Sequence, residues 1–150
     1  MHTKIRAVGV MPRERQSRIV DPLQSLEVEA LSAATCQEAR SLLETKPRVE
    51  LVISDLSLPD GNWCDVFKHL IDNGVHAAMV VVARHADERL WSEVLWRGAH
   101  DLLVEPLDKT HVQRVVEGAV RALQGVDAGR AAGLGVSKEL TAETALAAFR

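Results

Sequence analysis

The stretch that decides the fold is VELVISDLSLPDGNWCDVFKHLI, residues 49–71. Its first six residues, VELVIS, are rich in apolar and β-branched side chains and read as a central strand. The next eight, DLSLPDGN from Asp55 to Asn62, collect Pro59, Asp60, Gly61 and Asn62, residues that favour turns and helix caps, and read as a loop. From Trp63 the apolar period changes to that of a helix, through Val66, Phe67, Leu70 and Ile71. Asn73-Gly74 supplies a C-cap.

The same alternation extends in both directions. Towards the N-terminus, residues 4–10 (KIRAVGV) form a strand followed by Pro12. Ile19, Val20, Leu23 and Leu26 make a helical stripe over residues 12–26. Asp21-Pro22 is expected to interrupt it, because proline lacks a backbone donor and crowds the preceding turn. Residues 27–31 (EVEAL) form a short strand of alternating polarity. Thr35 and Glu38 make a capping box for a second helix with Ala39, Leu42 and Leu43 inward, stopped by Pro47. Towards the C-terminus, residues 79–83 (MVVVA) form a strand covered on both faces. Leu90, Val94 and Leu95 mark a fourth helix ending at Gly98. Residues 101–104 (DLLV) form a fifth strand ended by Pro106. Val112, Val115, Val116, Ala119, Val120 and Leu123 then give the most regular helical spacing in the chain. Strands alternating with helices predict an α/β domain with a parallel sheet and helices on both faces, over residues 4–124. Residues 125–135 (GVDAGRAAGLG) read as a linker, and the tail to residue 150 as one short helix capped by Ser137.

In such sheets chemistry sits at the carboxyl ends of the strands. The positions to inspect are therefore Gly9 to Met11, Asp55, Ala83 to His85, and Glu105. Composition narrows what they serve. At 150 residues with 47% hydrophobic and 26% charged residues, the chain suits one core. The formal net charge of −3 gives no case for a nucleic-acid partner. No apolar run is long enough for a membrane span, and the first residues carry charges where a signal peptide would be apolar. The expectation is a cytoplasmic protein with Cys36 and Cys64 as free thiols. The six histidines lack zinc-site spacing, so no structural metal is expected.

Three segments resemble the receiver domain of bacterial two-component response regulators. LVISDLSLPDG (residues 51–61) is similar to its phosphoacceptor strand and loop, with Asp55, Leu58, Pro59, Asp60 and Gly61 fitting. RGAHDLLVEPLD (residues 97–108) resembles its Gly-Ala, fifth strand and Lys-Pro signature, and KIRAVGVMP (residues 4–12) its first strand, with Pro12 at the family's proline. The resemblance implies a flavodoxin-like fold: five parallel strands in the order 2-1-3-4-5, flanked by five helices. It makes Asp55 the phosphoacceptor position.

The departures fall on the positions to which the family gives its chemistry. Gly9 and Val10 stand where the family has an acidic pair that holds Mg²⁺. Val82 or Ala83 stands at its Ser/Thr, Leu102 at its switch aromatic, and Glu105 at its lysine. One carboxylate makes a poor Mg²⁺ site, so Mg²⁺ is expected to bind weakly if at all. Asp55 and Glu105, if ~5 Å apart, would repel by about 3 kcal/mol at an effective dielectric near 20. Arg84 is placed to pair with one of them, or to be solvated. The resulting expectation is a pseudo-receiver, not an enzyme, that signals by protein–protein contact. The alternative is a true receiver phosphorylated on Asp55 by a histidine kinase; a third reading is a flavin-type ligand domain. The resemblance places a partner or homodimer on the face of the fourth helix, fifth strand and fifth helix. Trp91 and Trp96 are its candidate anchors.

Overall fold

A computed structural model describes residues 5–130 apart from 25, 27 and 47. Five strands form one parallel sheet: β1 (Arg6–Val10), β2 (Glu29–Ala33), β3 (Val49–Asp55), β4 (Ala78–Ala83) and β5 (Asp101–Val104), in the order β2-β1-β3-β4-β5. The crossovers are α1 (Ser17–Gln24), α2 (Cys36–Thr45), α3 (Trp63–Asp72) and α4 (Glu88–Arg97). The last helix, α5 (Lys109–Arg130), follows β5.

The period-2 alternation of each strand divides the core in two. Val8, Val10, Val52, Met79, Val81 and Leu102 face α2, α3 and α4, whereas Ala7, Leu51, Ile53, Val80, Val82 and Leu103 face α1 and α5. β4 is buried along its whole length and β3 at every position but Glu50, as expected for strands covered on both faces.

Four details differ from the sequence reading. β2 begins at Glu29 and ends at Ala33, because the parallel ladder with β1 (Arg6 to Glu29 through Val10 to Ala33), rather than side-chain alternation, fixes its limits. Pro22 lies inside α1 without ending it. Burial of Ile19 and Leu23, 2% and 0% exposed, holds the short helix across the missing backbone bond. The segment after Asp55 is partly ordered, with Ser57–Leu58 pairing antiparallel with Gly61–Asn62. Finally, α5 continues to Arg130, through the first residues of the expected linker and past Gly125 and Gly129. The rest of that linker and the Ser137 helix lie outside the described residues.

Turn chemistry holds the carboxyl edge in shape. Asn62 and Asp65 form a capping box at the start of α3, with Cys64 N donating to Asn62 Oδ1 at 2.8 Å and Asn62 N to Asp65 Oδ2 at 3.0 Å. Thr35 Oγ1 accepts from Glu38 N at 3.0 Å, while the Glu38 carboxylate turns to the amide of Ala34. Asp60 crosses from the β3–α3 loop to accept from the amides of Cys36 and Gln37 at 2.7 and 3.1 Å, capping α2 from outside its own segment. Those bonds hold the Asp60 carboxyl below its ordinary value. A Cβ at Gly61 would stand 2.3 Å from Asp65 Oδ2, so a larger residue there would have to displace the Asp65 carboxylate from its cap.

Candidate functional site

Alternation carries Asp55 to the α1/α5 side of the sheet, after Leu51 and Ile53, and Glu105 to the same side, after Leu103. Both lie at the carboxyl edge. Asp55 is buried, with its Oδ1 accepting from the Leu56 amide at 2.9 Å. Two like-charged carboxylates beneath the surface need a cation, and the chain supplies one from the turn after β1. Pro12 opens a short 3₁₀ turn over Arg13–Arg15, closed by Arg15 N donating to Pro12 O at 2.9 Å. The turn aims the Arg15 side chain back over the sheet edge.

Arg15 is only 6% exposed. Its Nη1 donates to Asp55 Oδ2 and its Nη2 to Glu105 Oε1, each at 2.5 Å. Arg18, on the first turn of α1 and half exposed, donates to the outer Glu105 oxygen at 2.9 Å. All four carboxylate oxygens are thereby used. Charge-assisted bonds of this kind are the strong ones. Two guanidiniums against two carboxylates leave the cluster formally neutral, so the repulsion expected between Asp55 and Glu105 becomes attraction through Arg15. The Arg15 Nε, also buried, has no hydrogen-bond partner among the described residues.

The electrostatics follow. Burial opposes the charge on Arg15, but hydrogen bonds and charges from Glu105 and Asp55 outweigh it and raise its proton affinity. Burial likewise works against the Glu105 carboxylate, yet Arg15 and Arg18 bring it below the ordinary glutamate value. Burial pushes Asp55 upward, and Arg15 and the Leu56 amide pull it back only in part, with Glu105 adding to the push.

The remaining site positions give no hard oxygen from a side chain. Gly9 has none; a Cβ there would meet Ile19 at 3.4 Å. Val10 is fully buried in the opposite core cluster. Val82 pairs with Asp55 in the ladder and packs on the α1/α5 side, while Ala83 faces the other way. Leu102 is 0% exposed. Among the described residues, no group of three or more histidine, cysteine, aspartate or glutamate side chains is placed to hold a metal. A Mg²⁺ ion, which prefers octahedral oxygen ligands, does not fit a pocket whose two carboxylates already close on a guanidinium.

Two readings left open by the sequence are narrowed. The cations at the site are Arg15 and Arg18, and Arg84 is exposed, the solvated alternative. Of the two tryptophans, one packs on the core and one does not. Trp91 packs partly buried against the α2/α3/α4 cluster, whereas Trp96 is 64% exposed on α4. Leu102 belongs to the core beneath that face. The sequence reading missed Arg15 because RERQSR after Pro12 looks like a solvated helix start. A signal was present: an aspartate at the end of β3 and a glutamate after β5, on the same side of one sheet edge, require a cation, and Arg13, Arg15 and Arg18 lie immediately after β1.

The sequence profile of the response regulator receiver domain matches residues 13–117, and the chain belongs to that family. It is a receiver domain of two-component signalling. Solved structures share the fold. The signal receiver domain of a putative LuxO repressor protein from Vibrio parahaemolyticus superposes with a TM-score of 0.73 at 19% identity, covering 83% of this chain and 96% of that one. A response regulator receiver domain protein from Clostridium thermocellum gives 0.72 at 18%, covering 81% and 98%. The CheX–CheY–BeF₃–Mg complex from Borrelia burgdorferi gives 0.66 at 18%, covering 75% and 86%. No curated protein matches the chain.

Proposed function

We propose that this receiver domain signals by protein–protein contact in a cytoplasmic two-component pathway, without phosphoryl transfer at Asp55 and without Mg²⁺. It then serves as a binding module and not as a catalyst. The observation that carries this reading is the Arg15 guanidinium bonded to both Asp55 and Glu105. Phosphoryl transfer depends on positioned metal and cations that neutralise charge at the acceptor. Here the acceptor oxygen is committed to Arg15, and a carboxylate replaces the family's lysine. Phosphorylated Asp55 would set its new charge against Glu105.

A clamp joining the β1–α1 turn, the end of β3 and the residue after β5 favours one conformation of the β5–α5 junction. The face formed by α4, β5 and α5, with Trp96 and Val104 outermost, is then constitutively presented to a partner or a second copy. A histidine kinase belongs among the partners to be tried.

Asp55→Asn tests the reading. The variant, whose amide oxygen still accepts from Arg15 and keeps the clamp, should when introduced in place of the native copy signal like the parent and retain the same partners in pull-down. Loss of signalling from a protein that is folded and normally abundant contradicts it.

A further inference from the structure

Resting on that reading, we propose that Arg15 is the resident cation of the site: its guanidinium neutralises Asp55 and Glu105 together, as a divalent ion could, and removing it uncovers a divalent-cation site. Three observations converge. The inner oxygens of the two carboxylates approach one small group, each 2.5 Å from adjacent nitrogens of the same planar guanidinium. Two carboxylates drawn onto one cationic group supply the first hard oxygen ligands a divalent ion needs. Arg15 is held there by those two ion pairs, since its Nε makes no hydrogen bond to any described residue. Arg18 cannot replace it, because it reaches only the outer Glu105 oxygen, from a side chain 55% exposed. Without Arg15, one buried and one half-buried carboxylate are left against one peripheral cation, an arrangement that favours uptake of a small positive ion.

The test uses the full chain and Mn²⁺ as the probe, followed by electron paramagnetic resonance of the free ion and by thermal melting. The parent should bind Mn²⁺ weakly, with no change in melting temperature at millimolar metal. Arg15→Ala should melt lower, bind Mn²⁺ about tenfold or more tightly, and regain melting temperature as metal is added, since a ligand specific to the folded state stabilises it. Adding Asp55→Asn should remove the gain. A folded Arg15→Ala chain with no gain in Mn²⁺ binding overturns the proposal, as does a parent that binds as tightly as the variant.

If Arg15→Ala does not fold, the triple variant Arg15→Leu/Asp55→Asn/Glu105→Gln decides. Its folding supports charge balance as the role of Arg15; its failure makes Arg15 a packing element and overturns the proposal. The outcome is separable from the signalling reading. An Asp55→Asn chain that fails to signal defeats that reading and leaves the Mn²⁺ result standing.

Discussion

Arg15 and Asp55 stand 40 positions apart in the chain and meet below its surface, Nη1 to Oδ2, at 2.5 Å. A bond between the turn after β1 and the end of β3 ties together two of the three segments that build the carboxyl edge; Glu105 adds the third.

The energetic weight of that tie is unequal among its members. Removing one partner of a buried ion pair leaves an uncompensated charge and costs about 3–5 kcal/mol. Arg15→Ala should fall in that range in urea unfolding at neutral pH, while Arg18→Ala, a largely exposed pair, should cost less than about 1 kcal/mol. Equal losses for the two variants would contradict the division into an inner and an outer arginine.

Asp60 acts on a different element from the loop that carries it. Asp60→Ala should cost about 0.5–2 kcal/mol, as for loss of a helix N-cap. Its carboxyl is held below the ordinary value, so its contribution is complete above the unfolded-state value of 3.8 and fades as pH falls through the folded-state value. The stability difference between parent and variant should therefore be full at pH 6 and shrink on acidification below about pH 4. A difference that grows in acid would refute the cap.

His100 should make stability depend on pH in a higher window. Burial lowers its proton affinity, with Asp101 opposing, so the folded chain binds fewer protons than the unfolded chain just below the ordinary value of 6.5. Stability then rises as pH increases towards 6.5 and is level, for this group, above it. His100→Gln should flatten the slope just below pH 6.5. An unchanged slope would place the titrating group elsewhere.

The two α4 tryptophans should separate. Trp91 packs on the core, and Trp91→Ala should lower the melting temperature, with a loss of about 2–4 kcal/mol. Trp96 is mostly exposed, and Trp96→Ala should change stability by no more than about 0.5 kcal/mol while weakening association, read by light scattering or pull-down. Association unaffected by Trp96→Ala would remove it from the partner face.

Much of this architecture was legible from residues alone. The apolar-rich runs of β3 and β4, the helical stripe of α5 and the cap residues Asn62 and Gly98 each encode their element locally, and the end of the β3 run placed Asp55 at the carboxyl edge. Limits set by pairing between distant segments were not legible: β2 takes its bounds from β1, and α1 runs past Pro22 because tertiary burial supports it. The same holds for the site. Gly9, Val10 and Glu105 announced that the family's acidic pair and lysine are replaced. Their replacement, Arg15, lies on a turn whose direction depends on Pro12 and on carboxylates 40 and 90 positions away.

The most direct test of the central claim is exposure of the folded parent chain to acetyl phosphate with Mg²⁺, read by intact-protein mass, and to beryllofluoride with Mg²⁺, read by fluorine NMR. The account predicts no phosphoryl adduct and no protein-bound fluoride signal under conditions that saturate a conventional receiver run alongside. A stoichiometric, Mg²⁺-dependent adduct that disappears in Asp55→Asn would contradict it.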